Sequence, residues 1–70
     1  MEHQERILRL AEVKTRTGLG RSAIYMRISA GTFPKPVALS MRRDGRPALV
    51  GFPESEINEW IRQTIAVSRG

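Results

Sequence analysis

The sequence predicts a mainly α fold with one β-hairpin, namely the three helices and two-stranded wing of a winged helix-turn-helix. Two short helical patterns flank Gly18-Leu19-Gly20, a glycine-containing turn of the length found in helix-turn-helix motifs. After a proline-rich connector the apolar period changes from about 3.6 to about 2, and Asp44-Gly45 predicts a two-residue hairpin turn between two strands. A last helical stripe then completes the chain.

The first helix is predicted over Leu10–Thr17, with Leu10 and Val13 on its inner face. Leu8 leads into this helix. Gly18 has the freedom to take the positive φ of a C-cap, and Leu19 is expected to fill the angle between the first two helices.

The second helix begins at Arg21 and ends at Gly31, because the prolines of Phe33-Pro-Lys-Pro prevent it from resuming. Ile24 and Ile28 lie one turn apart and are expected to face inward. The side chains on the other faces of this helix are expected to be available for contact with a partner.

Two short strands follow the connector, and an arginine-rich tip joins them into a wing. The last helix is predicted from about Pro53, since proline suits a first helical position. Its inner stripe includes Ile57 and Trp60, so Trp60 is interpreted as a core residue rather than a binding aromatic. The tail Ser68–Gly70 is expected to be loose.

Composition excludes several classes of protein. Seventy residues are expected to form one domain, residues 1–70. There is no cysteine, and the lone histidine, His3, has no partner at ligand spacing, so neither a metal nor another cofactor is expected. No apolar run approaches the roughly 18 residues of a membrane span, and the first residues lack the order of a signal peptide. These features favour a soluble cytoplasmic protein. The chain also lacks a plausible nucleophile–base pair, and the glutamates of the last helix point in different directions, so an enzyme is not expected.

The positive charge is confined to the middle of the chain. Residues 13–53 contain eight basic residues and one acid, whereas the segments before and after them each carry one net negative charge. Arginine outnumbers lysine ten to two, and guanidinium forks match phosphate oxygens. This distribution predicts a surface that binds double-stranded DNA, although a basic face that only aids solubility is the alternative.

The candidate DNA-binding residues belong to the first helix, the second helix and the wing tip. The first turn of a second helix is where recognition helices contact bases and phosphates, and an arginine-rich wing suits a minor groove or the backbone. Arg16 and Arg27 are the weaker candidates, and Met26 suits a thymine methyl as well as plain exposure. The nine candidates are Arg16, Arg21, Ser22, Tyr25, Met26, Arg27, Arg42, Arg43 and Arg46.

Four segments together resemble the AlpA family of prophage regulatory proteins. They are Leu8-Arg-Leu-Ala-Glu-Val13, Thr17-Gly-Leu-Gly-Arg-Ser-Ala-Ile-Tyr25, Gly31-Thr-Phe-Pro-Lys-Pro-Val37 and Phe52-Pro-Glu-Ser-Glu-Ile-Asn-Glu-Trp-Ile61. The resemblance covers nearly the whole chain in the right order. It implies a small winged helix-turn-helix, related to the MerR-like and excisionase folds, that binds DNA. Such proteins regulate transcription in prophages and mobile elements, and some relatives act as excision factors.

Three features depart from that family. Gly20 stands where serine is usual and removes a side-chain cap from the second helix. Phe52 stands where tryptophan is common, and the wing is longer and richer in arginine.

The resulting prediction is a sequence-specific transcriptional regulator of a prophage or mobile element. Two alternatives stay open: an excisionase-like architectural factor that bends DNA for a recombinase, and a protein-interaction module on the same scaffold. RNA polymerase and an integrase are the protein partners considered, and the oligomeric state is left open. The interaction module would need an exposed apolar patch, and only Met26, Ile65 and Val67 are left unassigned to the core.

Overall fold

The computed structural model describes residues 4–70, which form three helices and a three-stranded antiparallel sheet. The predicted fold class is therefore confirmed, with one strand more than the predicted wing. His3 lies outside the described residues. The elements in chain order are β1 Ile7–Leu8, α1 Leu10–Thr17, α2 Arg21–Ala30, β2 Val37–Met41, β3 Pro47–Pro53 and α3 Glu54–Arg69.

Glycines end the first two helices, as predicted. Gly18 has φ +75° and Gly31 has φ +78°, and the Gly18 N–H donates to the carbonyl of Lys14 over 2.8 Å. The turn after α1 is held by the Leu19 N–H, which donates to the Thr17 hydroxyl over 3.2 Å. Gly20 is the N-cap of α2 and supplies no side-chain cap. Local sequence thus fixes the turn that orients α2.

A small core joins the elements. Val13, Ile24 and Ile57 face inward as predicted, and each is fully buried. Every element except β2 contributes one buried side chain, and the connector after α2 adds Phe33. The buried residues are Leu8, Val13, Ile24, Phe33, Phe52 and Ile57.

Trp60 is placed differently from the prediction. It is half-buried, packs against the edge of the core and is not part of the buried cluster. Its indole Nε1–H donates to the Thr32 carbonyl over 2.8 Å, and its ring meets Phe33 edge-on at a centroid distance of 4.8 Å. The indole is therefore anchored by its nitrogen and by one ring contact, while part of it stays exposed to solvent.

The N-terminal segment forms a third strand instead of only leading into α1. Leu8 pairs with Phe52 across β1 and β3. The Arg6 carbonyl then accepts the Glu54 N–H over 2.8 Å, and the Glu5 carboxylate accepts the Ser55 N–H over 2.9 Å. These bonds satisfy backbone donors in the first turn of α3. Glu5 and Ser55 are 50 residues apart, so no local pattern predicts this cap.

The hairpin turn has three residues rather than two. The Arg42 carbonyl accepts the Gly45 N–H over 3.0 Å, while the Arg42 N–H donates to the Arg46 carbonyl over 2.7 Å. Gly45 has φ +86°, the left-handed conformation of a G1 bulge after a turn. The prediction of a two-residue Asp44-Gly45 turn was wrong, since Asp44 and Gly45 occupy the second and third loop positions.

The last helix is displaced slightly from its prediction at both ends. It begins at Glu54, and Pro53 is the N-cap and the last residue of β3. It continues to Arg69, so Ser68 and Arg69 are helical and the expectation of a loose tail was wrong for them. Proline ends the ladder of β3 and permits the helix to start, which explains the direct junction.

Candidate nucleic-acid interface

The first turn of α2 presents a polar surface. Arg21 and Ser22 are exposed, Tyr25 is half-buried and Met26 is 66% exposed. The Arg21 guanidinium carbon lies 5.3 Å from the centre of the Tyr25 ring, within cation–π range. This stacking limits the rotamers of Arg21 and holds a charged group at the start of the helix.

Arg27 is attached to its own helix. Its Nη1 donates to the Ala23 carbonyl over 3.1 Å, and the residue is half-buried. A guanidinium has five N–H donors, so this bond leaves donors for a second partner. Arg27 thus lies on the same helix as Arg21, but its side chain is folded back rather than extended.

The hairpin tip carries three exposed arginines in and beside the loop. Arg42 forms an ion pair with Asp44 at 3.2 Å, and the same carboxylate accepts the Arg46 N–H over 3.0 Å. The side chains of Arg43 and Arg46 form no ion pair within residues 4–70. Asp44 therefore shapes the loop and neutralises at most one of the three charges.

Arg16 lies on α1, outside both α2 and the hairpin tip. Its Nη2 is 2.5 Å from a Glu54 carboxylate oxygen, and its Nη1 donates to the Asn58 side chain over 3.2 Å. The same glutamate oxygen is 3.5 Å from Arg6, so one carboxylate links two arginines to α3. Arg16 joins α1 to α3, which makes it the least available of the nine candidates.

The wing has an apolar surface that the sequence reasoning missed. Val37, Leu39, Met41 and Leu49 are 37–58% exposed, so the count of unassigned apolar residues was too low. Ile7 and Leu39 lie over Gly51, where a Cβ would also meet the Leu8 carbonyl at 3.2 Å. Period-2 alternation indicated a strand, but it did not reveal that every residue of β2 is exposed.

Other kinds of site find little support in residues 4–70. Within that range no three His, Cys, Asp or Glu side chains are grouped so as to hold a metal ion. None of the helices there has the length and apolar character required to cross a membrane.

A comparison with known protein families gives a match over most of the chain. The family described as "Prophage CP4-57 regulatory protein (AlpA)" matches residues 6–65. The chain belongs to this family. The matched range includes the whole wing, the first two helices and all of α3 except about its last turn. The description of the family names a prophage regulatory protein.

A second comparison gives a phage relative. The chain is 40% identical over 63 residues to "Uncharacterized protein ORF88" of Enterobacteria phage P4, and the alignment covers 90% of this chain. The chain spans 65% of that relative's length. No solved structure matches the chain significantly.

Proposed function

We propose that this AlpA-family protein binds double-stranded DNA in a sequence-specific manner and regulates transcription from a prophage or mobile element. The observation that carries the proposal is the first turn of α2. Its exposed Arg21 and Ser22 follow a glycine-containing turn, in the position where recognition helices contact bases. Membership of a prophage regulatory family supports the same conclusion.

The candidate residues have different roles in this proposal. Arg21 and Ser22 read base edges in the major groove, since arginine pairs with guanine and serine bonds to several bases. Tyr25 and Met26 extend the contact, and Arg27 binds phosphate with its remaining donors. Arg42, Arg43 and Arg46 hold an adjacent groove or phosphate row. Arg16 contributes mainly by fixing α1 against α3.

Removing the side chains at the start of α2 tests the recognition helix. Arg21→Ala and Ser22→Ala are each expected to cost about 1–3 kcal/mol on the specific site, and much less on random DNA. Both residues are exposed, so the melting transition should stay near that of the parent. Selection of binding sites from a random duplex pool would report which base positions lose their preference.

Ser68→Ala is the matched control, because Ser68 is exposed near the end of α3 and lies outside the candidate interface. It should change neither affinity. If Arg21→Ala weakens specific and random DNA equally and the selected sequence stays the same, Arg21 binds phosphate and does not read bases. If neither affinity changes while the fold is intact, α2 does not face DNA and the proposal is wrong.

A second candidate function is an architectural factor that bends DNA for a recombinase. One observation favours it: Met41 is 58% exposed and directly precedes Arg42 at the wing tip. Proteins that bend DNA through the minor groove insert apolar side chains between base steps, beside arginines that bind the backbone. Architectural action predicts that Met41→Ala keeps most of the affinity but loses the bend.

Energy transfer between dyes at the two ends of a duplex measures that bend. Val67→Ala is the control, since Val67 is also an exposed apolar residue but lies near the end of α3. A duplex that stays straight with the parent protein would exclude the architectural role and leave the transcriptional one.

A further inference from the structure

A groove lies between the connector that follows α2 and the first half of α3. Phe33, Pro34 and Trp60 provide its apolar surface, and Glu56, Glu59 and Gln63 provide polar groups along α3. Its volume is about 670 Å³, within the usual range of about 300–1,000 Å³ for ligand sites. The groove is therefore large enough for a few side chains of a peptide.

The charge of this groove is opposite to that of the protein as a whole. The chain has a net charge of +5, yet the residues that line the groove include two glutamates and no basic side chain. Glu59 forms an ion pair with Arg62, whereas Glu56 forms none within residues 4–70. Phosphate would be repelled here, so the groove is unsuited to DNA.

The aromatic side chains of the groove are held in place. Trp60 is fixed by its bond to the Thr32 carbonyl and by its edge contact with Phe33. Phe33 in turn meets Phe52 edge-on, at a centroid distance of 6.1 Å. Because the indole is anchored from one side, it is a rigid surface that a partner covers without ordering it first.

We propose that this groove binds a basic segment of another protein, with an arginine stacked on Trp60 and paired with Glu56, and an aliphatic neighbour against Pro34. Arginine fits better than lysine because its planar guanidinium both stacks on an aromatic ring and forms a forked pair with a carboxylate. The partner is a different protein rather than a second copy. This chain has exposed arginines of its own, including Arg9 and Arg69, so a second copy is the alternative occupant that the test addresses. This inference goes beyond DNA binding and does not depend on it.

The single tryptophan gives a direct assay, since all indole fluorescence reports on this groove. The probes are two blocked peptides, acetyl-Gly-Leu-Arg-Leu-Arg-Gly-amide and the same peptide with glutamate in place of arginine. The arginine peptide is expected to change the emission of the full chain in a saturable manner, and the glutamate peptide is not. Added salt should weaken the response, because the groove is open to solvent.

Glu56→Gln is expected to weaken binding of the arginine peptide by up to about fivefold, the upper end of the range for a solvent-exposed ion pair. Glu12→Gln is the matched control, because it removes the same charge from an exposed glutamate of α1 outside the groove. It should leave the peptide affinity unchanged. Neither variant should reduce binding to DNA, so this result is separable from failure of the proposed function.

Three outcomes would overturn the inference: no response at millimolar arginine peptide, an equal response to the glutamate peptide, or equal weakening by Glu12→Gln. Sedimentation of the chain without peptide tests whether a second copy of the chain occupies the groove. A self-associated species that is lost in Glu56→Gln but kept in Glu12→Gln would mean that a second copy occupies the groove, and the proposal of a different partner protein would be wrong.

Discussion

Phe52→Ala is expected to leave the domain largely unfolded at room temperature. Phe52 has no exposed surface, pairs with Leu8 across the sheet and packs edge-on against Phe33. Truncating a buried phenylalanine costs about 3–5 kcal/mol. A chain of this length has only about 3.5–10 kcal/mol of stability in total, from roughly 0.05–0.15 kcal/mol per residue. Circular dichroism at room temperature should therefore show loss of most of the helical signal.

Leu49→Ala is the control on the same strand. Leu49 is 37% exposed and lies on the wing, so its truncation should cost well under the Phe52 value. A Phe52→Ala variant that melts cooperatively at the parent's midpoint would mean that the sheet does not pack on the helices as described. Equal losses from both substitutions would mean that the wing is as well packed as the core.

The triple variant Arg42→Ala, Arg43→Ala and Arg46→Ala is expected to bind all DNA sequences more weakly. Each phosphate contact contributes about 0.9 to the slope of log affinity against log salt, so losing three contacts flattens the slope by about 2.7. The fold should be kept, since these side chains are exposed and Gly45, which shapes the turn, is unchanged. Fluorescence anisotropy of a labelled duplex over a salt series gives the slope.

The control is the double variant Arg62→Ala and Arg69→Ala. Both side chains are exposed on α3 and lie outside the candidate interface. That double variant should keep the parent's slope. If the wing-tip variant also keeps it, the arginines are solvated and serve only to prevent pairing of the strand edge. Equal flattening by both variants would show a diffuse charge effect rather than contact by the wing.

Local chemistry made much of the fold predictable. Each helix was predicted from its own apolar spacing, because a helical period indicates the face that packs on the core. Val13 in α1, Ile24 in α2 and Ile57 in α3 lie on those faces and are buried. Gly18 and Gly31 marked the ends of α1 and α2, since both adopt positive φ. The candidate interface was visible for the same reason: clustered arginines and a glycine-containing turn are properties of short segments. Its contacts with DNA stay predictions.

The missed features depend on residues far apart in the chain. Strand β1 forms because Leu8 pairs with Phe52. The cap of α3 comes from Glu5, and no sequence pattern near Ser55 predicts it. The ion pair between Arg16 and Glu54 is another contact between distant segments, and it distinguishes Arg16 from the other candidate residues.

The sequence by itself determined the class of fold, the order of its elements and the segment of the chain that holds most of its positive charge. These follow from periodicity, turn residues and charge, which act over a few neighbouring residues. Only the tertiary structure decided that Trp60 lines a groove and that β2 is exposed on both faces. Amphipathic spacing gives the direction of a side chain from its own helix or strand. Burial depends on which other element lies in that direction, and packing between distant segments sets this.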